Sequence, residues 1–165
     1  MEIFSSDSNV CAKCKATCCY QGGPTLTKAE KKRILKAGFK NYFIPCHDGK
    51  GNVLPYKNWF DLKIRNGKCP YLKGCSCSIY KVRPLTCKIW PVFAKIEKCN
   101  LKYFVFACPL APYLDKKGIL KLKKMAESMP KRFYEISWGG LKPSEIKKVM
   151  KFTPVPFEKW MKRMK

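Results

Sequence analysis

Thiols are the groups in this chain whose type and spacing point to chemistry. Eleven cysteines occur in 165 residues, and most fall in two tight groups, Cys11-Ala12-Lys13-Cys14-Lys15-Ala16-Thr17-Cys18-Cys19 and the stretch from Cys69 through Cys75 and Cys77 to Cys87. A C-x-x-C step lets two sulfurs converge on one metal through a tight turn, which is why it recurs in zinc and iron-sulfur sites. Adjacent side chains such as those of Cys18 and Cys19 point in different directions in most backbone conformations, so they are expected to serve different metals or to leave one sulfur outside the ligand set. Ligands drawn from both groups would close a loop of about fifty residues, at an entropic cost that grows only logarithmically with length. A structural metal contributes roughly 10 to 16 kcal/mol, comparable with the roughly 5 to 15 kcal/mol that holds a whole domain. The metal-free chain is therefore expected to be loosened or unfolded.

The rest of the composition narrows the setting. The first residues, Met1 to Asp7, lack the basic start and apolar run of a signal peptide, and no stretch approaches the roughly 18 apolar residues of a membrane span, so a cytoplasmic location is expected. Thiols there stay reduced and, when clustered, read as metal ligands; disulfides are the competing reading if the Lys-rich, Gln-poor composition marks a hyperthermophile. The formal charge of +24 suits an acidic protein partner or nucleic acid, although solvated charged faces of a Lys-biased composition are the preferred account of such a charge. Tyr103, Phe104, Phe106, Phe133, Tyr134 and Trp138 lie among lysines, the mixture on which single strands stack, although the same residues build cores. With eleven carboxylates and one histidine the stock of general bases is thin, and no catalytic constellation stands out.

The elements that must position the thiols form a small α+β fold. Residues 1–112 are expected to be a cysteine-bearing domain of loops and short strands, and residues 113–165, which hold no cysteine, a basic helical segment packed on it. Thr27-Lys28-Ala29-Glu30 has the form of a capping box, and with Gly38 as a stop it predicts a helix over Lys28 to Ala37. Tyr42 to Ile44, Trp59 to Ile64, Ile89 to Ile96 and Leu101 to Ala107 read as strands, the last two as a hairpin. Pro91 pushes its run toward a sheet edge. Ile119, Leu122, Ala126 and Met129 recur at helical spacing, as do Phe157, Trp160, Met161 and Met164, and Ser144 caps a further short helix to Met150.

The two cysteine groups together resemble the YkgJ-type family, named for its CxxCxxCC signature. The second hallmark of that family is matched by Cys69, Leu72, Cys77-Ser78-Ile79-Tyr80, Arg83-Pro84 and Cys87, and Cys108-Pro109 is similar to its later cysteine. There are three departures: one extra residue before the double cysteine, Lys88 in place of Arg, and Ile89-Trp90-Pro91 in place of Phe-Pro. The resemblance implies a centre ligated by Cys11, Cys14, Cys18, Cys19, Cys69, Cys77, Cys87 and Cys108, and these eight thiolates fit two four-cysteine sites or one site with a reserve. An iron-sulfur cluster of the 4Fe-4S type is expected, with zinc the alternative, because Cys69-Pro70 and Cys108-Pro109 resemble ferredoxin cysteines and the first group is unlike paired zinc-ribbon knuckles. A redox, sensing or metal-handling role follows. The same motif occurs in flagellin lysine N-methylases, which makes a methylase-related enzyme one alternative and a basic nucleic-acid module with structural zinc another. Cys46, Cys75 and Cys99 fall outside the pattern and are expected to be ordinary buried thiols. His47 is expected in a solvated loop, Tyr80 as a lid, and Arg83 on a cluster sulfur or a backbone carbonyl.

Overall fold

Frequent Gly and Pro break the first half of the chain into short pieces, and the computed structural model shows how those pieces pair. It describes residues 12–48, 51–137 and 152–164. Mixed helices and antiparallel sheets make the fold α+β, and the chain divides into two compact units, Cys11–Lys88 and Ile89–Lys165 with Met1–Val10.

In the first unit the capping box forms as the sequence predicts. The Glu30 N–H donates to Thr27 Oγ1 at 3.3 Å, and the Thr27 N–H donates to Glu30 Oε2 at 2.9 Å. Helix α1 therefore starts at Lys28 and runs to Lys36. Gly38 follows it at φ 84°, a left-handed turn that costs a glycine little. Strands β1 (Thr25–Thr27) and β2 (Phe43–Pro45) flank β3 (Trp59–Leu62), both antiparallel to it, with Thr25 opposite Asp61 and Phe43 opposite Leu62. A Cβ at Gly23 would stand 2.1 Å from the Leu62 carbonyl oxygen, so the entry to β1 passes β3 only as glycine. A hairpin of β4 (Leu72–Lys73) and β5 (Ser76–Cys77) and a short helix α2 (Leu85–Ile89) carry the second cysteine group. Leu26, Ile34, Phe43, Leu62 and Tyr71 make the core, and Cys69 is buried among them.

The second unit is built on longer elements. β6 (Val92–Glu97) and β7 (Asn100–Phe106) form the expected hairpin. Glu97 opposite Asn100 leaves a two-residue turn in which Lys98 and Cys99 both have positive φ, 48° and 65°, as the right-handed twist of the strands requires. β8 (Pro154–Pro156) pairs with the end of β7, leaving β6 at the edge. Helix α3 (Lys116–Glu127), N-capped by Asp115, buries Ile119, Leu122 and Ala126 as its period predicts. Helices α4 (Lys131–Ser137) and α5 (Phe157–Arg163) also belong to this unit. Phe93 stacks on Phe104 at 5.2 Å and on Phe106 at 4.1 Å.

One expectation is corrected, and one open alternative is decided. The run from Ile89 is not one strand, because Ile89 closes α2 and β6 begins only at Val92, after a proline that lacks the N–H a ladder needs. The aromatics among lysines are not a stacking platform: Phe104, Phe106, Phe133 and Tyr134 are buried, and Tyr103 lies half-buried with the Lys123 ammonium 4.5 Å from its ring centre. Their hydrophobic area is spent on the core. Trp138 and the helix expected from Ser144 to Met150 lie outside the described residues. Among the described residues, no helix is long and apolar enough to cross a membrane.

Candidate metal centre

The first cysteine group is folded by two consecutive left-handed residues. Lys15 and Ala16 have φ of 51° and 48°, and they turn the chain between Cys14 and a 3-10 turn over Thr17–Tyr20. Here the residue that is extra relative to the family pattern is absorbed. Ala16 is buried and its carbonyl accepts the Cys19 N–H at 2.8 Å, while the Thr17 hydroxyl and N–H both reach the Cys14 carbonyl. This strain, of order 1 to 3 kcal/mol for such a residue, is tolerated because the surroundings fix it.

The second group meets the first through the backbone. The Cys69 N–H donates to the Cys19 carbonyl at 2.8 Å, which brings together cysteines fifty positions apart. Their thiols follow: Cys19 hydrogen-bonds with both Cys18 and Cys69. The consequences differ by residue. The hydrogen bond with Cys19 lowers Cys18 below the usual thiol range, with help from the charge of Arg83. Cys69 is brought down to about 7, first by the thiol of Cys19 and then by backbone N–H groups at Tyr71 and Leu72. Cys19 is the protonated partner and is raised far above the ordinary range by the same hydrogen bonds. Cys87 is raised well above it by burial and by the neighbouring Cys18, Cys77 and Cys69 sulfurs, and Cys14 is raised mainly by burial.

Cys18 and Cys19 lie on the 3-10 turn, a tighter spiral than a strand, and share a hydrogen bond. Among the described residues no three Cys, His, Asp or Glu side chains are drawn to a common point at metal-ligand spacing. Binding of a metal by cysteines releases the protons of the ligating thiols. A donor set of cysteine sulfurs, with Cys14 and Cys69 buried and Cys18, Cys19, Cys77 and Cys87 half-buried, fits zinc or an iron-sulfur cluster and does not fit the hard, oxygen-seeking cations.

One residue fastens this arrangement that motif reading sees only locally. Glu30 closes the capping box with Oε2, and its Oε1 accepts the Leu85 N–H at 2.7 Å, at the first turn of the helix that carries Cys87. The Thr86 hydroxyl donates to the Thr25 carbonyl at 3.2 Å, and Arg33 reaches the Arg83 carbonyl at 3.4 Å. Helix α1 and β1 thus hold the Pro84–Cys87 segment in place. Arg83 takes the second of its two expected roles: its guanidinium donates to the Tyr80 carbonyl at 2.8 Å and lies 3.5 Å from the Tyr80 ring centre.

Of the eight candidate ligands, Cys14, Cys18, Cys19, Cys69, Cys77 and Cys87 all lie in the first unit, and the last five act on one another directly or through Cys87. Cys11 lies outside the described residues. Cys108 belongs to the second unit, buried at the turn after β7. The expectation for the three remaining cysteines holds only for Cys46, which is fully buried and raised to about 12 by burial and by Asp61. Cys75 and Cys99 are exposed, because each occupies a two-residue hairpin tip where side chains project into water. The backbone N–H of His47 donates to Asp61, which also accepts from Thr25 and from the Cys46 thiol; the carboxylate closes this corner of the sheet.

Comparison with known proteins agrees with the site. An uncharacterized protein of Methanocaldococcus jannaschii, MJ0661, is 34% identical over 102 residues, which cover 58% of this chain and 52% of that protein. The chain spans about half the length of this curated relative, and no solved structure matches it. A family model described as "CxxCxxCC: Putative zinc- or iron-chelating domain" matches residues 10–109, a stretch that contains the whole thiol set, and the chain belongs to this CxxCxxCC family.

Proposed function

We propose that the chain holds an iron-sulfur centre of the 4Fe-4S type on thiolates drawn from Cys11, Cys14, Cys18, Cys19, Cys69, Cys77 and Cys87, and that its role is redox. The supporting observation is that the Cys69 N–H to Cys19 carbonyl bond joins the two cysteine groups, with Cys18 and Cys69 in reach of Cys19 and with Cys18, Cys69 and Cys77 near enough to Cys87 to raise it. When bound, such a centre supplies one-electron chemistry. The chain's own contribution is to bury the sulfurs, to supply N–H groups at Tyr71 and Leu72 to Cys69, and to place one cation, Arg83, beside Cys18 and Cys87. Hydrogen bonds and charge of this kind tune the potential of a cluster. The nearby carboxylates of Glu30 and Asp61 are committed to backbone and side-chain donors, which favours binding over hydrolysis.

Anaerobic purification with elemental analysis and a visible spectrum before and after reduction tests the proposal. Iron and acid-labile sulfide with absorbance that bleaches on reduction is the expected result. Colourless protein containing stoichiometric zinc would replace the iron-sulfur reading with structural zinc. Protein without thiolate-bound metal under strict anaerobiosis would overturn both.

A further inference from the structure

Helix α1 carries five basic residues and one acid in nine positions, and its charges are arranged against its own stability. Lys28, Lys32 and Lys36 are exposed at successive i, i+4 positions, on the side of the helix away from the buried Ile34. Like charges at that spacing repel, and Lys28 also stands at the positive end of the helix dipole. Nothing on the helix offsets them. Its single acid, Glu30, is turned to the capping box and to Leu85, and the one ion pair along the helix among the described residues is Arg33 with Glu30 at 3.9 Å. The result is a row of ammonium groups about 6 Å apart along the axis.

From this geometry we propose that the outer face of α1 is a contact surface for the phosphate backbone of duplex nucleic acid, read without regard to sequence. The proposal is independent of which metal the thiols hold. The match is one of charge: a backbone of closely spaced phosphates offers a partner to every cation of such a row. The stripe includes no large exposed apolar side chain: the exposed large hydrophobics of the described chain are Tyr20, Val53, Tyr113 and Leu120, none of them on α1. A membrane surface or a protein hot spot would call for such an anchor. Single strands need open aromatic faces, whereas Phe60 has the Lys31 ammonium 4.0 Å from its ring centre, and Tyr42 has Arg65 at 5.0 Å and Lys40 at 5.9 Å.

Fluorescence anisotropy of the anaerobically purified full chain against a labelled 20-base-pair duplex, over a salt series, tests this surface. Each lost phosphate contact lowers the magnitude of the slope of log K against log salt by about 0.9, so the triple variant Lys28→Gln, Lys32→Gln, Lys36→Gln is expected to lower it by about 2.7. A control variant removing the same charge elsewhere, Lys98→Gln, Lys102→Gln, Lys117→Gln, should leave the slope unchanged. Circular dichroism and metal content confirm that each variant is folded, and the single Lys32→Gln, expected to lower the slope by about 0.9, serves if the triple is not. An unchanged slope in the stripe variant, or an equal fall in the control, would overturn the proposal. Tighter binding to a single strand of the same length, to phosphatidylserine vesicles or to polyglutamate would overturn it in favour of that partner.

Discussion

The two units solve the problem of stability differently. The one from Cys11 to Lys88 has strands of two to four residues and buries thiols beside its aliphatic core. The one from Ile89 onward has a hairpin of six- and seven-residue strands, a stack of phenylalanines and a twelve-residue helix with a regular apolar stripe. Apolar burial of that second kind sustains a fold by itself, whereas two-residue strands need an external tie. The difference teaches where metal and hydrophobic effect each carry the load.

Metal removal should break the comparison open most widely. With roughly 10 to 16 kcal/mol at stake for a structural metal, chelation is expected to abolish amide protection in residues 12–88 while amides of β6 and β7 stay protected, as read by hydrogen exchange. The converse perturbation is Phe106→Ala in the second unit, where a fully buried ring stacks on both Phe93 and Trp90. A loss of about 3 to 5 kcal/mol in denaturant unfolding is expected.

Glu30→Ala tests the clamp on the Cys87 segment. It removes a helix cap, worth about 1 kcal/mol, and leaves the Leu85 N–H without its partner, worth about 1 to 3 kcal/mol. Faster loss of metal to a chelator should accompany the drop, whereas a mere helix cap would lower stability and leave metal retention alone.

Acid acts on the same unit. The folded pKa of Cys69 is lowered, so the thiolate and the stability it lends are present above the ordinary thiol range and are lost as pH falls through about 7. Metal affinity is therefore expected to fall by about a further tenfold per pH unit below about 7, as Cys69 adds one proton that the metal must displace, measured by competition with a chromophoric chelator. The smallest expected effect lies at the β6–β7 turn. Lys98→Asn with Cys99→Gly replaces two side chains held at positive φ with residues suited to that turn, and should stabilise the second unit by about 1 kcal/mol in the same denaturant assay.

Local chemistry was legible in the sequence and long-range chemistry was not. The capping box of Thr27 and Glu30, the β6–β7 hairpin and the apolar stripe of α3 all follow from neighbours within a turn or two of one another. The second oxygen of Glu30 reaches Leu85, fifty-five positions away, and no motif encodes that. Cys75 and Cys99 show the same limit, since residue type favours burial and only the hairpin geometry puts both in water. The aromatics from Tyr103 to Tyr134 suited stacking on bases as well as stacking in a core, and packing against Phe93 and Ala126 decided for the core. For the thiols, spacing marked the candidates, and the Cys69 N–H to Cys19 carbonyl bond shows which two groups fold together.

X-ray absorption at the metal edge of anaerobically purified protein measures the central claim, that these sulfurs ligate a metal, without reference to any activity. The account predicts a coordination layer of sulfur at about 2.3 Å, with a further iron-iron distance for the cluster reading. A layer made only of nitrogen and oxygen would contradict it.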